Sequence, residues 1–358
     1  MSAHASREFV AMTPAKLASG LREVAYAENS RMLPISRRIL LGTMLGTLLA
    51  RPPAARGQAI TEAKIGLLTE RSLSPEIEAF RHGLTELGWV EGRSYSIVQR
   101  SAEGDLERLP GLAAELVEAG VTVIMTGVGS PAALAAKSAT AKVPIVFVTG
   151  GDPVDFGIVT NRRKPGENVT GLGGGILAIQ ERLEMLRDIA PRTKRVAFLR
   201  NPSNPIHPKL FKAVEQEGAR LGLELQEIGV LAPSELDAVF RAMRSNRVDA
   251  LFVPGDAMFS RERGALVRLA PSFGLPAVYG DRLFPDNGGL MSFSVDLVEL
   301  CRRAAGYVHR ILRGARPGDL AVEEAVKFDV VINVAAANVL GLKIPAALRE
   351  RAELVGQR

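Results

Sequence analysis

Short apolar runs of β-forming residues alternate with amphipathic helical stretches along the chain from residue 60 onward. One series of runs lies at 64–69, 94–100, 121–127, 145–150 and 168–173, and a second lies at 195–200, 223–229, 250–255, 276–280 and 290–294. Apolar runs that alternate with helices are typical of βαβ units, whose parallel strands are buried on both faces. The pattern therefore predicts an α/β protein.

The two series predict two lobes, each built on a doubly wound parallel sheet. A single long sheet or an eight-unit barrel would alternate in the same way. A barrel, however, explains neither the glycine-rich break at 170–175 nor the short spacing between the last two runs. Glycines tolerate the backbone angles that a hinge or crossover needs, so we interpret the break as a hinge crossover, with a plain tight loop as the alternative.

Further helical patterns follow the break. A helix is predicted at 177–189 and another from 294 to 313, before an apolar run at 328–333 and a short helix from about 335. The residues expected on the exposed face of the first helix are Glu181, Arg182, Glu184 and Arg187.

The formal charge of +6 is concentrated in residues 1–59, which hold eight lysines and arginines against three acids. The remaining chain is close to neutral, and aromatic residues make up only 5% of the composition. Neither a basic surface for a polyanion nor a stacking platform for bases is indicated, so nucleic acid is not an expected partner.

The cysteine and histidine residues indicate neither a disulfide nor a metal site. Cys301, the one cysteine, lies in a helical pattern at 297–312, so the chain cannot form an internal disulfide. The histidines, His4, His82, His207 and His309, lack metal-ligand spacing and are interpreted as surface or helix-face residues. No metal or cofactor is expected.

Residues 1–59 resemble an export leader. Arg37 and Arg38 precede an apolar run at 39–50, and a stretch rich in small residues follows to 59. Twelve apolar residues are too few to span a membrane as a helix, so no stable anchor is expected. We expect cleavage before Gln58. The twin-arginine and general secretory routes both remain open, as do starts at Met1 and Met32.

Candidate binding residues follow the predicted strands, because ligands of open parallel sheets bind beyond the carboxyl ends of the strands. Ser74 and Ser130 each precede a proline and are predicted to cap helices whose N-termini could bind a carboxylate. The candidates in the first series are Ser72, Ser74, Gly129, Ser130, Thr149, Gly150 and Asp152.

In the second series the candidates are amides and acids that could accept from an ammonium group or hydroxyls: Asn201, Asn204, Asp256 and Asp281. Asparagine and aspartate are also ordinary turn residues, so a purely local role remains the alternative for each. The sequence has neither a phosphate-binding loop nor a G-x-S-x-G motif, and the glycine cluster follows the fifth run instead of the first. This pattern favours a site that holds a ligand without changing it.

Several segments together resemble the ABC-transport substrate-binding family, whose members include tryptophan-type amino-acid binders. They are FRHGLTELGWVEG at 80–92, PIVFVTGGDPV at 144–154, GENVTG at 166–171, NPSNP at 201–205, KFDVVIN at 327–333 and LGLKIP at 340–345. The resemblance covers about residues 36–355.

The resemblance implies a type I periplasmic-binding fold with three hinge crossovers. Lobe 1 would contain 60–174 with 291–320, and lobe 2 would contain 175–290 with 321–358. It also implies a protein that binds an amino acid or similar small polar solute and hands it to an ABC permease with its ATPase. Together with the leader pattern this predicts an exported, periplasmic protein, which we expect to be a monomer.

Two other functions compete with this interpretation. Ligand-sensing domains of regulators use the same fold, but they carry a DNA-binding helix-turn-helix where this chain has an apolar run. An enzyme on a doubly wound scaffold is the third possibility, and the missing nucleophile and cofactor motifs disfavour it.

Overall fold

The apolar runs form the strands of two sheets in the computed structural model, which describes residues 62–174 and 177–357. The strands are β1 Ala63–Thr69, β2 Tyr95–Ser101, β3 Val123–Thr126, β4 Ile145–Thr149, β5 Val169–Gly173, β6 Arg195–Arg200, β7 Glu224–Gly229, β8 Ala250–Val253, β9 Ala277–Tyr279, β10 Met291–Val295, β11 Glu323–Glu324, β12 Phe328–Asn333 and β13 Glu353–Val355. The helices are α1 Ser74–Glu86, α2 Leu109–Glu118, α3 Ser130–Ala139, α4 Leu177–Ile189, α5 His207–Arg220, α6 Leu236–Ser245, α7 Ala257–Arg261, α8 Arg263–Ser272, α9 Leu283–Asp286, α10 Leu297–Leu312, α11 Val334–Val339 and α12 Ala346–Arg351.

The first sheet has the order β11-β5-β4-β3-β1-β2, and its paired strands are parallel. Helices α1 and α10 cover one face, where Phe80 and Val308 are buried against the strands. Helices α2 and α3 cover the other face through residues such as Leu116 and Ala133. Burial on both faces explains why the central strands β3 and β4 consist of largely apolar residues, whereas the edge strands β2 and β11 are only partly buried and more polar.

The second sheet has the order β13-β12-β10-β9-β8-β6-β7, and only the β10–β12 pair among its pairings is antiparallel. Helices α4 and α5 pack on one face with α11 and α12, and α6 and α8 pack on the other. The predicted α/β class, with two doubly wound, mainly parallel sheets, is confirmed.

The connections between the sheets differ from the sequence-based division in two places. β10, assigned from the sequence to lobe 1, pairs with β9 and β12 in the second sheet. The chain leaves that sheet at Asp296, whose carboxylate caps α10 by accepting from Glu299 N at 2.9 Å. β11, assigned to lobe 2, pairs with β5 in the first sheet. Pairing along β5 creates this two-residue strand, since Glu323 and Glu324 carry no strand pattern of their own.

The glycine-rich break is partly a strand. Gly171 belongs to β5, where a Cβ atom would lie 2.1 Å from the carbonyl oxygen of Phe147 on β4. Glycine is therefore needed there for close approach of two strands. The connection to α4 begins at Gly174, where a Cβ atom would lie 2.3 Å from the carbonyl oxygen of Gly150.

The expected export leader, 1–59, lies outside the described residues. Among the residues that the structure does describe, no helix is long and apolar enough to cross a membrane.

Candidate functional site

A cavity of about 480 Å³ lies where the carboxyl ends of strands from both sheets face each other. Loops after β1, β3 and β4 form one wall, and loops after β6, β8 and β9 form the opposite wall together with α4 and α5. A volume of several hundred cubic ångströms is typical of pockets for small molecules.

Most of the candidates from the sequence line this cavity. They are Gly129, Ser130, Thr149, Gly150 and Asp152 on the first wall, and Asn204, Asp256 and Asp281 on the second. Ser72 and Ser74 are exposed and are not among the residues that line it. Asn201 is buried behind the wall, where its side-chain amide contacts Asp256.

The predicted capping roles of Ser74 and Ser130 are wrong. Each serine is the first residue of its helix, and the capping positions fall on Leu73 and Gly129, without a side-chain cap. Leu73 is buried in the core, which leaves Ser74 facing solvent. Ser130 Oγ instead contacts Thr149 Oγ1 at 2.7 Å, so these two cavity hydroxyls are bonded to each other.

Glu70, which the sequence analysis passed over, occupies the N-terminus of α3. Its Oε1 accepts a hydrogen bond from Ala132 N at 3.1 Å. A Cβ atom on Gly129 would lie 1.9 Å from the same oxygen, so glycine makes room for this carboxyl group. Burial raises the pKa of Glu70 to about 8, against the lowering effect of the Ala132 hydrogen bond. The anion position expected for a ligand carboxylate is thus filled by the protein itself.

Asp256 stabilises the second wall through hydrogen bonds to other groups of the protein. Its side chain is 0% exposed. Oδ1 caps α7 by accepting from Met258 N at 2.9 Å and Phe259 N at 3.2 Å, and Oδ2 accepts from Asn204 Nδ2 at 2.9 Å and Asn201 Nδ2 at 3.2 Å. These bonds tie the loop after β6 to the loop after β8. The side-chain oxygens of Asn201 and Asn204 also have partners within the protein, because they accept from Ser203 N and Ile206 N at 3.0 Å each.

His207 belongs to the same buried network and is not a surface residue. Its Nδ1 accepts from Asn201 N at 2.9 Å, which assigns the proton of the neutral ring to Nε2. Nε2 lies 3.6 Å from Asp256 Oδ2. Burial lowers the pKa of His207, so the ring is neutral near pH 7.

Asp281 lies on the second wall and is contacted from the first. Its Oδ2 is 3.3 Å from Nη2 of Arg71, which follows β1, while its Oδ1 accepts from Leu283 N at 2.9 Å. The same Arg71 nitrogen lies 3.4 Å from Glu76 Oε1. Arg71 and Asp281 therefore form an ion pair across the cavity.

Arg182 was expected to be exposed, but it is 9% exposed and lines the cavity. Its Nε donates to the carbonyl oxygen of Phe293 at 2.7 Å, and its guanidinium carbon lies 5.8 Å from the ring centroid of Phe252. Burial lowers the pKa of Arg182 to about 10, opposed by the nearby charge of Asp281. A sequence signal was available, since Arg182 lies three residues after Ile179 and four before Leu186 on the apolar stripe of α4.

Apolar side chains complete the walls: Val128, Pro131, Phe156, Ala178, Ile179, Ile206, Leu210 and Val295. Within the described residues, no group of three histidine, cysteine, aspartate or glutamate side chains is arranged to hold a metal ion. The cavity combines buried charges of both signs with apolar surface, which suits a small ligand that has an ionic end and an apolar end.

The chain is similar to several known proteins. The family model for ABC transporter substrate-binding proteins matches residues 65–355. A tyrosine-binding protein from Clostridioides difficile (strain R20291) is 24% identical over 267 residues, covering 75% of this chain and 76% of the relative.

Two solved structures are also similar. An ABC domain from Streptococcus pneumoniae in complex with L-Trp superimposes with a TM-score of 0.76 at 26% identity, covering 82% of this chain and 99% of the other. A conserved domain protein from Vibrio cholerae gives a TM-score of 0.75 at 27% identity with the same coverage. These likenesses and the sheet topology confirm the predicted type I periplasmic-binding fold.

Proposed function

The chain belongs to the family of ABC transporter substrate-binding proteins, and from this membership we propose that it captures an amino acid in the cavity between its two sheets. The observation that carries the proposal is the cavity itself, which has buried charges of both signs beside apolar residues such as Phe156 and Ile179. An aromatic amino acid satisfies both features at once. The tyrosine-binding relative and the relative in complex with L-Trp support this choice.

Binding without chemistry follows from how the polar groups are arranged. The buried histidine has its Nδ1 occupied by a backbone N–H, and the two cavity hydroxyls of Ser130 and Thr149 bond to each other. A hydrolytic mechanism needs a nucleophile paired with a base, and neither hydroxyl has that pairing here. We therefore infer a role in transport, with an ABC permease and its ATPase as partners.

Lobe closure completes the proposed mechanism. The walls belong to different sheets, and the chain crosses between them near Gly174, Asp296 and 325–327. A ligand that contacts both walls favours the closed arrangement by its differential affinity for the two forms.

The direct test is a thermal-shift screen of the twenty L-amino acids, followed by titration calorimetry and small-angle scattering with L-tyrosine and L-tryptophan. We expect at least one to bind in the micromolar range or tighter, with a smaller radius of gyration at saturation. Bound ligand raises the apparent stability by RT ln(1 + [L]/Kd), so a ligand at 100 times its Kd adds about 2.7 kcal/mol. A screen without any shift would contradict amino-acid capture, and an unchanged radius would contradict closure.

Export to the periplasm is part of the proposal. It rests on the leader pattern around Arg37 and Arg38 and on the apolar run at 39–50. The ligand-binding body would then act outside the cytoplasm as a cleaved chain that begins near Gln58.

A further inference from the structure

Arg182 is a buried cation with unused hydrogen-bonding capacity. Among the described residues, its guanidinium makes one hydrogen bond, through Nε to Phe293 O, and no carboxylate oxygen lies within 4.0 Å. The side chain lines the cavity. A guanidinium carries five N–H donors in a planar fork, so its two terminal nitrogens have donors available for a ligand.

The other cations that line the cavity are either engaged by the protein or exposed, and Lys212 is the exposed one. Arg71 contacts Asp281, Glu76 and the carbonyl oxygen of Ser72. Lys209 donates to the carbonyl oxygen of Asp155 at 3.1 Å. Burying a charge is costly unless a partner compensates it. Of these four cations, Arg182 is the buried one whose compensation has to come from what enters the cavity.

Asp281 supplies the opposite charge on the same wall. Both side chains line the cavity, and among the described residues no nitrogen of Arg182 lies within 4.0 Å of a carboxylate oxygen of Asp281. Asp281 Oδ2 faces the cavity beside Arg71 and Ser260, while Oδ1 is held by Leu283 N. A carboxylate of this kind can accept from an ammonium group.

We propose that Arg182 and Asp281 form a head-group site for a zwitterionic α-amino acid. The terminal nitrogens of Arg182 donate to the ligand carboxylate, and Asp281 Oδ2 accepts from the ligand ammonium. This inference rests on the proposed function and deepens it, because it excludes sugars, amines and amides as preferred ligands. It also moves the carboxylate from the first wall, where Glu70 fills the α3 N-terminus, to the second wall.

Arg182→Gln and Asp281→Asn should each impair recognition of a different group of the ligand, the carboxylate in the first case and the ammonium in the second. Arg182→Gln should weaken binding of L-tyrosine roughly 100-fold, because a buried charge pair loses one partner. The wild type should prefer L-tyrosine over L-tyrosinamide by a similar factor, whereas Arg182→Gln should bind the two within a few-fold of each other. Asp281→Asn should weaken L-tyrosine strongly and leave 3-(4-hydroxyphenyl)propionate, which lacks the amine, within a few-fold of its wild-type affinity.

Arg187→Gln is the matched control, since Arg187 is exposed on the same helix and should leave all three affinities unchanged. If the wild type binds no amino acid, the proposed function itself fails. If it binds L-tyrosine and Arg182→Gln keeps both the affinity and the preference over the amide, the head-group site is overturned while the function stands. Should Arg182→Gln not fold, Arg182→Lys retains the charge without the fork. A roughly tenfold loss for L-tyrosine with a retained preference over the amide supports the site, and unchanged affinity overturns it.

Discussion

Asp256→Asn tests whether the carboxylate that follows β8 stabilises the folded protein or binds the ligand. The substitution keeps the shape of the side chain and its Oδ1 cap on α7, because asparagine is also a good capping residue. It replaces Oδ2 with an NH₂ group that faces the side-chain amides of Asn201 and Asn204. Asn204 Nδ2 loses its charge-assisted hydrogen bond, and Asn201 Nδ2 keeps only its contact with Oδ1 at 3.3 Å. A buried donor that loses its acceptor costs roughly 1–3 kcal/mol, so we expect a loss of about 3 kcal/mol in the free energy of unfolding.

Equilibrium urea unfolding at pH 7 measures this loss, with the denaturant slope checked for constancy. Asp237→Asn is the control, since Asp237 is an exposed acid in the first turn of α6 and its replacement should cost no more than about 0.5 kcal/mol. The refuting result is an Asp256→Asn variant as stable as the wild type that binds L-tyrosine more weakly. That outcome would restore Asp256 to the ligand-contacting role that the sequence analysis gave it.

Two further predictions concern Glu70 and the leader. Because the pKa of Glu70 is raised to about 8, the folded chain binds more protons than the unfolded chain between about pH 4.5 and 8, so its contribution to stability falls as pH rises through that window. Glu70→Gln should flatten this fall, which amounts to on the order of 3 kcal/mol between pH 5 and 8, and unfolding curves with an unaltered pH dependence would contradict it. For the leader, N-terminal sequencing of protein from the periplasm should find a start near Gln58, and Arg37→Lys with Arg38→Lys should block export by the twin-arginine route; export of the double variant at the wild-type level would contradict that route.

Most strands could be predicted from the sequence because burial on both faces forces a continuous apolar run; the edge strands β2 and β7 are only partly buried and are more polar. Ten runs in the two series and the later run at 328–333 all became strands. β11 could not be predicted, since Glu323 and Glu324 form a strand only because β5 offers them an edge. The crossover at Asp296 was missed for a similar reason: sheet pairing, not local pattern, decides that β10 stays in the second sheet.

The position of the cavity was also predictable, because topology brings strand ends together whatever their side chains are. The role of each side chain was not. Asp256 and Asp281 both follow strands of the second sheet and both line the cavity, yet the Asp256 carboxylate accepts from two asparagine amides of its own wall, whereas Asp281 contacts Arg71 on the opposite wall. Glu70 depends on the gap that Gly129 leaves, which is a three-dimensional coincidence with no sequence signature. Arg182 could have been identified from the sequence as a candidate binding residue. It lies on the apolar stripe of α4, and a charged residue in such a position needs a buried partner.

The lobe closure that we propose would depend on what the ligand adds to weak contacts at the rim of the cavity. The polar contacts that join the two walls include Arg71 with Asp281, Lys209 with Asp155 O, and Arg261 with Glu103 O. The Lys209 and Arg261 contacts are exposed and contribute roughly 0–1 kcal/mol each, and in the more buried Arg71–Asp281 pair desolvation offsets much of the attraction. Shifting an equilibrium from mostly open to mostly closed takes roughly 5.5 kcal/mol. The ligand must therefore supply most of the difference, and a zwitterion on Arg182 and Asp281 whose side chain reaches Phe156 on the opposite wall can do so, because only the closed form provides both contacts.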